Sequence, residues 1–357
     1  MPRITSQGFF RLRVILTGSL IAFLALTSFS ACSSVALLPG SSCRRITGMP
    51  GPEDFEPEPA PKPARVFVSS QDRRVLDEAG EFARNGAIFQ LSLETGSIPE
   101  AMTLTERDAL PFHPHGISAV ARTPFPLLYV INHPVHHSHV IEVFEVRQKE
   151  LRFVRRLRSS LLISPNDLVA LPDGQIYVTN DHGTQGGFSR LLEDLLALRQ
   201  SNVVRFDGLT WRIAAQKIAF ANGVAISQSG DKLFVGSSRD RGVYVFNRLA
   251  GGALSDAPRF IDLDSGADNV MWETPEWLNV AAHPSALDFL SHAKDPAKPS
   301  PSEVFRIHAE TLRVSRIYRD SGTQISASST AVVLANRMII SQVFEDYAIS
   351  CDAPPKP

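Results

Sequence analysis

Residues 112–133 read FHPHGISAVARTPFPLLYVINH. A polar pair, His115-Gly116, precedes an apolar run, a proline-marked turn follows, and a second run rich in β-branched and aromatic residues ends at His133. Short runs of this kind between turn signals read as the two strands of an antiparallel hairpin. His115 opens the first strand and His133 closes the second, so the hairpin brings both imidazoles to one end. That is the geometry a base dyad needs.

The unit recurs along the chain. Glu53-Asp54 precedes FVSS, Asn166-Asp167 precedes LVALPDGQIYVTND, and Asn222-Gly223 precedes VAISQSGDKLFVGSS. Asp268-Asn269 precedes VMWETPEWLNVAAH, and Ser328-Ser329 precedes TAVVLANRMIISQVF. The first members lie 62, 51, 56, 46 and 60 residues apart, a spacing that fits four-stranded propeller blades with extended loops. The fold class is therefore all-β, a six-bladed β-propeller occupying 43–351 as one domain. One segment departs from the pattern. Phe188, Leu191, Leu192, Leu195 and Leu196 recur at helical spacing with Arg190, Glu193 and Asp194 between them, predicting a short amphipathic helix inserted over 188–198. It packs on a blade, lids the mouth or faces a membrane.

Composition narrows the function. With 36 basic and 37 acidic side chains among 357 residues, there is no electrostatic footprint for nucleic acid. The hydrophobic fraction of 43%, with 22 Gly and 25 Pro, suits a turn-rich chain that buries a large core. At the N-terminus, Arg3, Arg11 and Arg13 precede an apolar run from Val14 to Phe29, then Ser30 and Ala31 before Cys32. This 1–32 segment is a lipoprotein signal with Cys32 lipidated, a membrane anchor or an ordinary signal peptide. In each case the rest of the chain is exported and is membrane-anchored, periplasmic or secreted. Of three cysteines, with Cys32 lipidated or held in a membrane, Cys43 and Cys351 remain either as a pair that ties the two ends together or as two unpaired thiols.

In a propeller the equivalent positions converge at one end of the central channel. Glu53, Asn166, Asn222, Asp268 and Asn269 then form a ring of carboxylate and amide oxygens, which is costly unless a cation satisfies it. Hard oxygen donors without thiolates select Ca²⁺ over Zn²⁺. His115 and His133 sit over that ring. His113, His136, His137 and His139 read as loop residues. The motifs of serine hydrolases, zincins and phosphate-binding loops are absent.

The stretches GPEDFE, FHPHGIS, VINHP, SPNDLVAL, TNDHG, FANGVAIS, DNV and AAHP, in this order, resemble the serum paraoxonase and arylesterase family from about Cys43 to Cys351. The resemblance implies a six-bladed propeller closed by a Cys43–Cys351 disulfide, with two calcium ions stacked in the channel. Carried onto this chain, the catalytic ion takes Glu53, Asn166, Asn222, Asp268 and Asn269. The structural ion takes Asp54, Asp167 and the carbonyl of Ile117. The catalytic dyad falls on His115 and His133, with Glu53 or Asp268 as alternative bases and His115 then only positioning substrate, and Phe220 falls on the substrate wall. His182 and His283 lie in family motifs without an assigned role. Ala282 stands where mammalian members carry a free cysteine, and residues 71–81, QDRRVLDEAGE, are more charged than the family's active-site loop.

What the family implies is calcium-dependent hydrolysis of hydrophobic lactones and aryl esters, with phosphotriesters as side substrates. Two rival readings are a sugar lactonase of the gluconolactonase and regucalcin type, favoured by the charged 71–81 loop, and a non-catalytic propeller that binds protein.

Overall fold

Runs such as LLYVIN at Leu127–Asn132 and IYVTN at Ile176–Asn180 have almost no exposed face. A strand buried on both sides needs a neighbour above and below its sheet, and a ring of stacked sheets supplies both. The computed structural model describes residues 43–355, apart from 61–62, 79–80, 94–95 and 335. The 1–32 segment and Cys32 lie outside the described residues, as do the side chains of Phe188 and Leu191.

The chain forms six sheets arranged as a six-bladed β-propeller. Strand β1 (Arg44–Thr47) is set aside for the last blade. Blade 1 is β2 (Pro52–Pro57), β3 (Arg65–Ser70), β4 (Ala87–Ser92) and β5 (Glu100–Ala101). Blade 2 has five strands: β6 (Thr103–Thr105) lies parallel on the outer edge, and β7 (Pro114–Val120), β8 (Leu127–Asn132), β9 (Val140–Arg147) and β10 (Glu150–Leu157) complete it. Blade 3 comprises β11 (Pro165–Ala170), β12 (Ile176–Asn180), β13 (Ser201–Phe206) and β14 (Trp211–Ile218), with helix α1 (Gly187–Leu196) between β12 and β13. Blade 4 is β15 (Ala221–Ile226), β16 (Lys232–Ser237), β17 (Gly242–Asn247) and β18 (Arg259–Asp262). Blade 5 is β19 (Gly266–Thr274), β20 (Trp277–His283), β21 (Ser302–His308) and β22 (Val314–Asp320), with α2 (Ala286–Lys294) between β20 and β21. Blade 6 is β23 (Ser328–Leu334), β24 (Arg337–Gln342) and β25 (Tyr347–Asp352), and β1 pairs antiparallel with β25 as its outer strand.

That last pairing closes the ring with chain from both ends, and the Cys43–Cys351 disulfide locks it. Closure leaves no long unpaired edge inside the ring. Packing follows the same logic, because each of the six apolar clusters lies between two successive blades. Tyr129, Ile131 and Val143 of blade 2 meet Leu168, Ile176 and Val178 of blade 3, and Met338 and Ile340 of blade 6 meet Val304 and Tyr318 of blade 5. With its apolar surface spent between blades, the molecule can line its axis with polar groups.

Both helices leave from the end of a blade's second strand, the same end at which the inner strands begin. The insert at 188–198 is thus one of two helices over the mouth. Glu193 of α1 accepts hydrogen bonds from Gly183 N and Thr184 Oγ1, while Leu195 and Leu196 are exposed. Helix α2 is capped by Ser285, whose side chain accepts from Asp288 N. Among the described residues no helix is long and apolar enough to cross a membrane.

Candidate metal and histidine centre

Every inner strand carries a β-bulge where its polar pair falls: at the start of β2, at His115-Gly116, Asn166-Asp167, Asn222-Gly223 and Asp268-Asn269, and in β23. A bulge sets two residues against one on the neighbouring strand and re-aims their side chains, so both members of a pair can serve the channel. In β23 the bulge lies between Ser328 and Ala331, which makes the sixth pair Ser329-Thr330 and corrects the expected Ser328-Ser329 by one residue. The hydrogen bonds agree. Ser329 Oγ donates to Glu53 Oε1 at 2.8 Å, and Thr330 Oγ1 donates to the Glu53 carbonyl at 3.0 Å.

The second members Asp54 and Asp167 are held by backbone N–H groups of their own strand and of the adjoining blade. Asp54 accepts from the backbone N–H of Phe55 and, from blade 2, of Ile117, both at 2.8 Å. Asp167 likewise accepts from Leu168 N and, from blade 4, from Val224 N, both at 2.7 Å. The intervening glycines are steric necessities: a Cβ on Gly116 would lie 2.7 Å from Asp167 Oδ1, and one on Gly223 would lie 2.5 Å from Asn269 Cα. Burial, and for Asp54 also the charges of Asp167 and Glu53, holds both carboxyls well above the ordinary aspartate range.

The residue just after or closing a second strand braces the first members Asn166, Asn222 and Asp268, whereas Asn269, the second member of its pair, is held from β23 and β2. Asn166 Nδ2 donates to Asp181 Oδ2 at 3.4 Å, Asn222 Nδ2 to Ser238 Oγ at 3.0 Å, and Asn269 Nδ2 to Thr330 Oγ1 at 2.9 Å and Glu53 Oε1 at 3.1 Å. Tying back the N–H₂ ends leaves the amide oxygens over. Asn166 Oδ1, Asn222 Oδ1, Asn269 Oδ1 and Glu53 Oε2 are buried with no hydrogen-bond partner among the described residues. Orphaned buried acceptors are rare and costly, and here four come from four blades. Asp268 lies 3.3 Å from His283 Nε2, and burial and then Glu53 push its carboxyl well up. This donor set fits a hard cation. Among the described residues no three His, Cys, Asp or Glu side chains cluster as a metal site, which is consistent with a set that draws on amides.

His115 Nδ1 lies 3.0 Å from His133 Nε2, and His115 Nε2 lies 3.7 Å from Glu53 Oε1. The hairpin therefore joins the two rings as the sequence predicted. Burial depresses His115, against the pull of Glu53; burial and the adjacent His115 and His139 depress His133 well below the ordinary imidazole value. Both shifts favour the neutral imidazole.

Three findings lay outside the sequence reading. His139 is not a free loop residue, since its Nδ1 lies 2.8 Å from His133 Nδ1. His113 is buried and stacks on Phe82 at 5.4 Å between ring centroids. His283 braces Asp268 and donates to the Ser328 carbonyl at 2.7 Å. Phe220 stands just before β15, half-buried and edge-on to His182 at 5.0 Å, and His182 Nδ1 lies 2.6 Å from Asp181 Oδ1. In the charged loop, Arg74 is committed to Glu345 at 2.6 Å. Arg73 reaches the carbonyls of Gly51 and Val343 at 3.4 Å; burial lowers its pKa, and Glu53 and Asp268 oppose that.

Residues 82–353 match the family model described as Arylesterase. "Serum paraoxonase/lactonase 3" of Mus musculus is 29% identical over 327 residues, covering 89% of this chain and 84% of its own length. "Serum paraoxonase/arylesterase 2" of Gallus gallus is 31% identical over 249 residues, covering 68% of this chain and 69% of its own. The calcium-binding protein regucalcin from Agrobacterium tumefaciens superposes with a TM-score of 0.55 at 12% identity, over 87% of this chain and 93% of its own, a likeness of fold.

Proposed function

Because the chain belongs to the arylesterase family, and is a hydrolase by that membership, we propose that it is a calcium-dependent hydrolase of lactones and aryl esters. The observation that carries the proposal is the set of four unpartnered buried oxygens beside the His115–His133 contact. In this reading Glu53, Asn166, Asn222, Asp268 and Asn269 hold the upper cation, and Asp54, Asp167 and the Ile117 carbonyl hold a deeper one. When bound, the upper Ca²⁺ supplies Lewis-acid polarisation of a substrate carbonyl and charge stabilisation of the developing oxyanion.

The chain's own residues do the rest. His115 Nε2 takes the proton of an attacking water, a role open to a neutral imidazole. His133 accepts from His115 Nδ1 and so keeps the Nε2 lone pair free. Asp181, Ser238 and Thr330 hold the three amides with their oxygens inward. Phe220 and His182 give the mouth an aromatic wall on the blade 4 side. Residues 1–32 are proposed to direct export, with Cys32 as the lipidation site if the segment is a lipoprotein signal.

Arg73 favours a second reading in which the substrate is a polar or sugar lactone, because an aliphatic chain gains nothing from a guanidinium at the mouth. One experiment tests both: pH-stat rates on aliphatic lactones, sugar lactones, aryl esters and paraoxon, with and without a calcium chelator. The proposal expects lactone and aryl ester turnover that chelation abolishes and added calcium restores. Turnover that survives verified metal loss contradicts it. Preference for sugar lactones selects the second reading, and no turnover at any calcium level leaves a binding propeller.

A further inference from the structure

The string of imidazoles that begins at His115 does not end at His133. His133 Nδ1 lies 2.8 Å from His139 Nδ1, and the two rings meet edge to face with centroids 4.6 Å apart. His139 belongs to the loop between β8 and β9, where His136, His137 and Ser138 are exposed, and it is itself half-buried. Three rings are therefore joined in series through ring nitrogens, and the last of them lies beside an exposed loop segment. We propose that His139 is the outer member of a three-histidine proton wire that lets His115 take and return a proton without any ring becoming charged. The proposal rests on His115 acting as the base.

Only one order of protons leaves the Nε2 of His115 open as a base. His115 carries its proton on Nδ1 and donates it to His133 Nε2. His133 carries its own on Nδ1 and donates to His139 Nδ1. His139 holds its proton on Nε2, the nitrogen turned from His133.

When a water attacks, its O–H bond breaks and an N–H bond forms at His115 Nε2. The Nδ1 proton of His115 moves to His133 Nε2, the Nδ1 proton of His133 moves to His139 Nδ1, and the Nε2 proton of His139 passes to solvent. All three rings remain neutral with their protons on the opposite nitrogens. As the ester C–O bond breaks, His115 Nε2 gives its proton to the departing alkoxide. The string shifts back, and His139 Nε2 takes a proton from solvent. The acid product then ionises, so one proton is released per ester cleaved. Water and ester become carboxylate, alcohol and that proton.

The surroundings give the wire its purpose. An imidazolium at His115 or His133 would be desolvated, and Arg73 and Arg190 oppose positive charge on both rings, while Glu53 favours it at His115 alone. Asp181 likewise favours it at His115 and His139. His139 touches neither water nor substrate in this scheme, so it is a positioning residue that acts through His133.

The test uses the full chain, loaded with calcium, on a lactone it turns over. His139→Gln keeps a polar side chain but cannot relay, and it lowers kcat about tenfold, the low side of what general-base steps contribute, with KM unchanged. His139→Ala lowers kcat similarly, and added imidazole restores it by entering the vacated space. Without substrate or calcium, ¹⁵N spectra of histidine-labelled protein show the proton on His133 redistributed between its two nitrogens in His139→Ala. Unchanged kcat in both variants overturns the wire. So does a loss that imidazole fails to restore while thermal melting is unaltered. His115→Gln separates the two levels: wild-type turnover there removes the base itself, whereas a large loss there with no effect at 139 removes only the wire.

Discussion

In blade 2 the polar pair opens with His115, and His133 follows the second strand; in blade 5 the same two places hold Asp268 and His283. Each blade thus sets a first-strand side chain against a histidine from the same hairpin, at 3.0 Å in one and 3.3 Å in the other. The surroundings separate them. His283 donates to the Ser328 carbonyl and stacks on Phe289 at 4.5 Å, so its ring is fixed as a donor. His133 has imidazoles on both sides and can donate or accept at either nitrogen. The bracing position is a general orienting device of the propeller, and the neighbour of the brace decides whether it holds an oxygen still or hands a proton on.

The sharpest way to break that contrast is to remove the first member of each pair. His115→Gln is expected to lower kcat by about 10²–10⁴-fold, the usual worth of general acid–base catalysis, and to leave calcium affinity by calorimetry unaltered. Asp268→Asn is expected to weaken calcium binding, with activity returning at high calcium. If both variants lose calcium, or neither does, the two blades are not specialised as described.

Much of this was legible before the structure. The six pairs announced six blades, because strands buried on both faces alternate with turns at a nearly regular interval. Asn166, Asn222 and Asp268 were identifiable as convergent because repeat symmetry fixes where equivalent positions lie. The misses have physical causes. Ser326 to Thr330, SASST, is so uniform in polarity that nothing in it marks the phase of the bulge, and the sixth pair came out one residue early. Helix α2 spans only nine residues and its apolar side chains are partly exposed, so its periodicity is faint. His139 joins the site through the course of a seven-residue loop, which no strand repeat dictates. The tying back of each amide N–H₂ depends on residues 15 or more positions away in sequence, which is why the ring could be named but its orientation could not.

Both hairpins depend on a closed ring, and opening it should act on them equally. Replacing Cys43 and Cys351 together by Ala is expected to cost about 2–5 kcal/mol, measured by urea unfolding, as for other long-loop disulfides. Turnover per folded molecule and calcium affinity should both persist. A selective loss in either hairpin would show that one of them relies on the β1–β25 closure more than on its own bulge.

The braces themselves give a smaller and more discriminating effect. His283→Gln is expected to weaken calcium affinity about 10–100-fold, the typical result of removing the partner that orients a ligand, without a separate fall in kcat at saturating calcium. His133→Gln should do the reverse, lowering kcat at constant calcium affinity. Identical signatures would mean that the neighbours of the two rings, and not the rings' partners, govern the site.

The smallest effect lies two residues before each pair, where blade 2 has His113 and blade 5 has Gly266. His113 is buried under Phe82, and burial lowers its pKa below the ordinary value. The unfolded chain therefore binds this proton more readily than the folded one. Between the folded value and about 6.5, unfolding free energy rises with pH; it declines on acidification and levels off once the folded ring also protonates. Above that window the group contributes no pH dependence. Each unit of depression corresponds to about 1.4 kcal/mol across the window. His113→Phe keeps the stack on Phe82 and removes the proton, so urea unfolding at pH 7.5 and pH 5.5 should differ less in the variant than in the parent. An equal difference in both would mean that the His113 ring meets water in solution, and that blade 2 gains its acid sensitivity from the His115–His133–His139 string alone.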